Sequence, residues 1–142
     1  MKNTSKFRAQ RDREFQELFN ETYDLMLKRK VKNPRREALR FTLCNGSPHY
    51  HVSFDRAYIV VPQILRSGKM PIGRAMAAQM WSEIAQRVRQ LMTDHNMSIA
   101  AALEFVLMYC RASRFFMTDH YASCRFRPLS RRQRLLRTYR IA

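Results

Sequence analysis

The sequence predicts an all-α protein of about seven helices, and three observations lead to this fold class. The 142 residues include only three glycines and five prolines, whereas alanine, leucine, methionine and arginine, which favour helices, are frequent. Apolar residues recur at spacings of three and four along most of the chain, which is the period of an amphipathic helix. Serine or threonine precedes several of these segments, in the position of a helix N-cap.

The first three helices are expected in the N-terminal half. An amphipathic pattern predicts the first helix over residues 7–30. Pro34 suits the first position of a second helix, and the Asn-Gly pair at 45–46 ends it. Ser53 is the expected N-cap of the third helix, which Pro62 should kink or end because proline cannot donate a backbone hydrogen bond.

Four further helices are expected in the C-terminal half. The segment 66–70 (RSGKM) has the composition of a linker, and Pro71 then opens a long fourth helix that breaks at residues 94–96. Pro128 stops the short sixth helix. The last three helices are expected to follow the N-cap residues Ser98, Thr118 and Ser130.

The two halves of the chain contain similar segments in the same order, which predicts an internal duplication. Aromatic, apolar, hydroxyl and alanine positions match in three blocks. The matched blocks are 15–26 with 81–92, 38–43 with 102–107, and 49–58 with 114–123. We therefore expect two tri-helical repeats, near 15–66 and 81–127. The corresponding domains are 1–66 and 67–142, the second including a basic C-terminal helix, and the two can form one compact domain.

The charge distribution points to a polyanionic partner. The net charge is +16, and residues 111–142 hold nine arginines against one acidic residue, Asp119. Such charges repel one another in the folded protein unless an anionic partner neutralises them. Nucleic acid is the first expectation and an anionic membrane surface the second. A basic surface that serves only solubility is the third.

The C-terminal segment from Arg127 onward carries most of this charge. Wound as a helix, it places Leu135, Leu136 and Tyr139 on one face, by which it can dock on the body of the protein. Arginines on the other face would each offer two hydrogen bonds to a phosphate. Because the apolar face is narrow and lacks Trp and Phe, nucleic acid is favoured over lipid.

The predicted unit of two helices, a turn and a third helix resembles in outline the tri-helical form of the helix-turn-helix family. This resemblance implies that the third helix enters the major groove of DNA. In the second repeat that helix is TDHYASCRFR, from Thr118 to Arg127. In the first repeat it contains AYIVV, 57–61, whose apolar character predicts burial. Three-helix units that bind no DNA are the alternative.

Enzymatic and metal-dependent functions are not expected. Cys44 with His49 and His51, and Cys110 with His120 and Cys124, lack the tight paired spacing of structural zinc sites, so neither metal nor cofactor is predicted. Carboxylates are scattered, whereas metal-dependent nucleases need them clustered. The unpaired cysteines, the absence of a signal-peptide pattern and the short apolar runs predict a soluble cytoplasmic protein.

The sequence thus predicts a non-enzymatic nucleic-acid-binding protein, with double-stranded DNA as the main target and a regulatory or accessory role. Two alternatives stay open. One is a helical protein–protein interaction or adaptor module that uses the groove around 58–65, with an incidental basic tail. The other is an RNA-associated protein that stacks bases on aromatic side chains. Arg35 and Arg36, at the start of the second helix, are secondary candidates for contact with phosphate. The predicted nucleic-acid-binding residues are Arg111, Arg114, His120, Arg125, Arg127, Arg131, Arg132, Arg134, Arg137 and Arg140.

Overall fold

The structure, a computed structural model, describes the backbone of residues 2–141 and the side chains of residues 6–139. Within this range the chain folds into seven helices, which confirms the predicted all-α class. The helices are α1 (Lys2–Lys28), α2 (Pro34–Cys44), α3 (Phe54–Ser67), α4 (Ala75–His95), α5 (Ile99–Tyr109), α6 (Asp119–Arg125) and α7 (Arg131–Ile141). None of these helices has both the length and the apolar character needed to cross a bilayer.

Most of the predicted helix starts are confirmed by hydrogen bonds at the N-caps. The hydroxyl oxygens of Ser53, Ser98 and Thr118 each accept a hydrogen bond from the backbone N–H three residues later, at 3.0–3.2 Å. Ser130 and Gln133 form a reciprocal pair, in which each side chain accepts from the other residue's backbone N–H. This capping box starts α7 by satisfying two N–H groups that the helix leaves without partners.

Some of the predicted boundaries are wrong, including the start of the first helix, which lies at Lys2 and not at residue 7. The fourth helix begins at Ala75 and not at Pro71, because the residues around Pro71 stay outside the helix and Arg74 takes an extended N-cap conformation. Of the two effects expected of Pro62, a kink or an end, the end does not occur, since α3 continues to Ser67. Gly68 ends it instead, since its φ of 68° is a left-handed conformation that glycine adopts without strain.

The helices enclose two hydrophobic cores. Core A lies among α1, α2 and α6, and consists of Phe15, Phe19, Ala38, Leu39, Leu43, Phe115, Met117, Ala122 and Phe126. Core B lies among α3, α4 and α5, and consists of Tyr50, Ala57, Val60, Val61, Met80, Trp81, Ile84, Ala85, Val88, Ala102, Leu103, Val106 and Ala112. Along the chain, α1 and α2 therefore pack around core A, the next three helices pack around core B, and α6 packs around core A again.

The two segments that connect the cores, 45–53 and 110–118, meet in a short antiparallel bridge. Ser47 N–H donates to the Ala112 carbonyl at 3.0 Å, and Ala112 N–H donates to the Ser47 carbonyl at 2.9 Å. Gly46, next to the bridge, has a φ of 90° that other residues rarely adopt. Because both chain crossings lie at this bridge, it fixes the position of one core relative to the other.

This packing groups the helices differently from the sequence-based units. The third helix of the predicted first unit, α3, packs on α4 and α5, and the third helix of the second unit, α6, packs on α2. The boundary expected near residue 66 therefore does not separate the two cores. The expected helix-turn-helix pairing of α5 with α6 is wrong as well, since these helices bury their apolar faces in different cores. The internal duplication stays a prediction.

The path of segment 110–118 from core B to core A predicts which helices lose stability when the Phe115 ring is removed. Phe115→Ala removes a buried ring from core A and should lower the free energy of unfolding by about 3–5 kcal/mol. Hydrogen exchange should accelerate most in α1 and α2, although α5 is nearer in sequence. Phe41→Ala, which truncates a half-exposed ring on α2, is the control and should cost roughly 1 kcal/mol or less. Faster exchange in α4 and α5 with α1 and α2 unchanged would contradict the assignment of Phe115 to core A.

Candidate nucleic-acid interface and the adjoining cleft

The arginines of α7 belong to the predicted interface and differ in their exposure. Arg131 and Arg132 are exposed, and Arg134 and Arg137 are half-buried. Arg134 is held in place, since its Nε lies 3.6 Å from Oδ1 of Asp24 and its guanidinium lies over the Tyr23 ring. The side chain of Arg140 lies outside the described residues.

The apolar face of α7 is not covered as the sequence led us to expect. Leu135, Leu136 and Tyr139 are 52%, 51% and 77% exposed, and α7 packs against none of the other helices in the described part of the chain. The expected docking of α7 through these side chains is therefore wrong. Instead, Arg134 of α7 contacts the body of the protein through its ion pair with Asp24 of α1.

The arginines around α6 mostly contact the protein itself. Arg35 donates to the carbonyls of Ser123 and Phe126, at 2.6 and 3.1 Å, and so satisfies acceptors at the C-terminal end of α6. Arg127 also donates to the Ser123 carbonyl, at 3.1 Å. Arg125 is exposed, and its Nε lies 3.6 Å from Oδ2 of Asp12. The structure thus brings Arg35 and Arg127 together at one carbonyl.

The residues predicted to flank the third helix differ in their availability. Arg114 is half-buried and donates to the carbonyls of Phe115 and Met117, so its guanidinium stabilises the second crossing segment. Arg111 is exposed. His120 is exposed on α6, with its ring nitrogens 3.7 and 3.9 Å from Sγ of Cys124. Arg36, a secondary candidate, is exposed on α2 and does not share the contacts of Arg35 with the α6 carbonyls.

A buried carboxylate, Asp12, connects α1 to α6. It accepts a 2.6 Å hydrogen bond from the Tyr121 hydroxyl and forms a 3.1 Å ion pair with Arg11. Burial, together with this hydrogen bond to the Asp12 carboxylate, raises the pKa of Tyr121. The Arg11 guanidinium also lies 5.0 Å from the centre of the Tyr121 ring. Tyr121 is therefore held by polar contacts on two sides, which restricts its use as a stacking surface for bases.

A cleft of about 770 Å³ adjoins this network and contains residues that the sequence did not single out as a group. Arginines and histidines line one part of it, and apolar side chains line the rest. The lining residues are Arg8, Arg11, His49, Tyr50, His51, Val52, Arg74, Ala75, Met76, Ala77, Met80, Phe116, Met117, Thr118 and Tyr121. Sequence reasoning missed the three arginines because they lie far apart in the chain, on α1 and just before α4.

Glu14 of α1 contacts both histidines of this cleft. Oε2 of Glu14 lies 2.7 Å from Nε2 of His51, and Oε1 lies 3.1 Å from Nδ1 of His49. Burial alone would raise the pKa of Glu14, but the hydrogen bonds and charges of its neighbours, His51 foremost, hold it below its ordinary value. Burial lowers the pKa of His51, and the Glu14 carboxylate only partly offsets this effect. At neutral pH this arrangement favours an ionised carboxylate beside a neutral imidazole.

No protein-family model, curated protein or solved structure matches this chain.

The Asp12–Tyr121 contact gives a prediction for stability. Tyr121→Phe removes the donor from a buried carboxylate, and should lower the free energy of unfolding by about 1–2 kcal/mol. Tyr139→Phe, at an exposed tyrosine, should change it little. A double-mutant cycle with Asp12→Asn, read by urea denaturation, should give a coupling of about 1 kcal/mol. Zero coupling would show that this hydrogen bond does not connect α1 to α6.

Proposed function

We propose that this protein binds nucleic acid, with double-stranded DNA as its main target, through the arginines of α7 and the adjacent end of α6. In this proposal it acts as a small regulatory or accessory factor and not as an enzyme. One observation carries the proposal. Among the described side chains, no carboxylate lies within 4.0 Å of the guanidinium groups of Arg131, Arg132 or Arg137. These charges are therefore available to an anionic partner.

The dimensions of α7 suit a phosphate backbone. The helix has 11 residues, which corresponds to a length of about 16 Å. A guanidinium group binds phosphate through two parallel hydrogen bonds, and each phosphate so neutralised releases condensed counterions. Binding by this mechanism is largely independent of base sequence. It gives high affinity at low salt and a steep fall in affinity as the salt concentration rises.

The aromatic side chains of the crossing segments and of α6 support duplex binding over recognition of unpaired RNA bases. Stacking needs exposed ring faces. Tyr50 and Phe115 are buried in the cores, Phe116 stacks on Tyr50, and Tyr121 is bound to Asp12. These rings therefore serve the packing of the protein, whereas Arg131 and Arg132 of α7 are exposed.

A neutralisation experiment tests this proposal. The triple variant Arg131→Gln, Arg132→Gln and Arg137→Gln should weaken duplex DNA binding at least tenfold at low salt, measured by fluorescence anisotropy. The slope of log affinity against log salt should become shallower by about 0.9 for each phosphate that the variant no longer neutralises. The matched control is Arg56→Gln, Arg66→Gln and Arg89→Gln, which removes the same charge from exposed positions on α3 and α4.

The control triple should retain most of the affinity of the wild-type protein. Equal weakening of both triples would show that binding depends on net charge alone, and unchanged binding by the α7 triple would remove α7 from the interface. A chain ending at Pro128 should also lose most duplex affinity while α1–α6 keep their helicity. Parallel titrations with duplex RNA, single strands and anionic vesicles distinguish the anionic partners from one another.

A second candidate function, binding of another protein, is favoured by exposed apolar side chains on α3 and α5. The AYIVV segment is only partly buried, because Val60 and Val61 lie in core B whereas Tyr58 and Ile59 are exposed. The two helices pack together, and Phe54 and Met108 line a common pocket. The exposed side chains are Phe54, Tyr58, Ile59, Phe105, Met108 and Tyr109.

The variant Ile59→Asn distinguishes the two functions. Ile59 is 63% exposed, so the substitution should leave the melting temperature nearly unchanged. It should reduce capture of a protein partner from a lysate, and leave the affinity for duplex DNA as it is. The same set of captured proteins for the variant and the wild type would remove this surface from consideration, and loss of folding would show that Ile59 is a core residue.

A further inference from the structure

Three side chains that can bind a metal ion converge at the edge of the cleft. Glu14, His49 and His51 each offer one nitrogen or oxygen atom, and these three atoms lie within 4.8 Å of one another. Two imidazoles and a carboxylate are a common set of zinc ligands. We propose that these residues bind a divalent transition-metal ion, zinc in the first place.

The distances fit the dimensions of a zinc site. Zinc binds histidine nitrogen and carboxylate oxygen at about 2.0–2.2 Å, which places adjacent ligand atoms of a tetrahedral site roughly 3.3 Å apart. The carboxylate oxygens of Glu14 lie 2.7 Å from His51 Nε2 and 3.1 Å from His49 Nδ1. Small rotations of the Glu14 and His49 side chains would therefore admit the ion beside His51.

The ligands are held in place by their surroundings, as metal ligands generally are. Gln10 donates a 3.1 Å hydrogen bond to Oε1 of Glu14 from the preceding turn of α1. The His51 side chain is only 4% exposed, and its ring stacks on Phe115 with an angle of 13° between the ring planes. His51 also has a φ of 61°, which is rare for a residue other than glycine. The surrounding fold therefore holds this imidazole in one orientation.

The remaining coordination position faces solvent through the cleft. The His49 side chain is 42% exposed, and both histidines line the cleft together with Arg8, Arg11 and Arg74. Three protein ligands and an open position are the arrangement in which zinc retains a water molecule. The fourth ligand in this proposal is therefore water, which an anionic ligand can replace because of the nearby arginines.

Spacing along the sequence could not indicate this site because its third ligand is distant. Cys44, which lies close to the two histidines in the sequence, is exposed and is not part of the group. Glu14 lies 35 residues before His49. In the proposed duplication, His49 and His51 correspond to Arg114 and Phe116. The second repeat therefore lacks the two histidines of the proposed site.

Metal titration of the full chain, purified without a histidine tag and treated with a chelator, tests the proposal. Isothermal titration with Zn²⁺ alone should give one site per chain. Glu14→Gln and His49→Gln should each weaken it at least tenfold. The exposed His49 makes its variant the more informative one, since it should fold even if Glu14→Gln does not. Co²⁺ should give a visible absorption spectrum in the wild type that His49→Gln reduces.

The other two histidines provide matched controls. His95→Gln and His120→Gln, both at exposed positions, should retain the affinity for zinc and the rise in melting temperature that zinc causes. Absence of zinc binding in the wild type would overturn the proposal and leave Glu14 as a hydrogen-bonded connection between α1 and the first crossing segment. Binding that is abolished in His120→Gln and kept in His49→Gln would overturn it as well, by placing the ion at His120 and Cys124.

Discussion

The rest of the structure depends on the antiparallel contact between the two segments that cross from one core to the other. Each segment passes the Ser47–Ala112 bridge once, and beyond the bridge neighbouring side chains enter different cores. Tyr50 and Phe116 pack in or against core B, whereas Phe115 enters core A and the ring of His51 stacks on it. Neither core is complete without residues from both halves of the chain, so the two cores should be stable only together.

This crossing also determines where the polar residues meet. Because His51 lies on the core A side, it reaches Glu14 on α1 and forms one edge of the cleft. The return of the chain to core A brings α6 beside α1 and α2, where Asp12 and Arg35 bind it through Tyr121 and the carbonyls at its end. The arginine-rich α7 follows α6 in the chain and packs against none of the other described helices. The proposed nucleic-acid surface and the proposed metal site are therefore held by one scaffold.

The features predictable from the sequence are those set by local chemistry. The N-caps at Ser53, Ser98 and Thr118 follow from a hydroxyl placed three residues before an N–H that needs an acceptor. Amphipathic patterns likewise predict which face of a helix is buried. They do not predict which other helix covers that face. The sequence therefore could not show that α3 packs on α4 and α5, or that α6 packs on α2. The same limit explains why the exposure of Leu135 and the meeting of Glu14 with the two histidines were not predicted.

The most direct test of the chain crossing is the environment of the Phe115 ring in solution. In the structure its centre lies 5.1 Å from that of Phe15, and the two rings meet edge to face. Nuclear Overhauser effects from selectively labelled Phe115 should therefore connect it to Phe15 and to other residues of core A. Effects to Trp81 and its neighbours in core B, with none to Phe15, would contradict the crossing of the chain. The positions assigned to α6 and His51 would then be wrong as well.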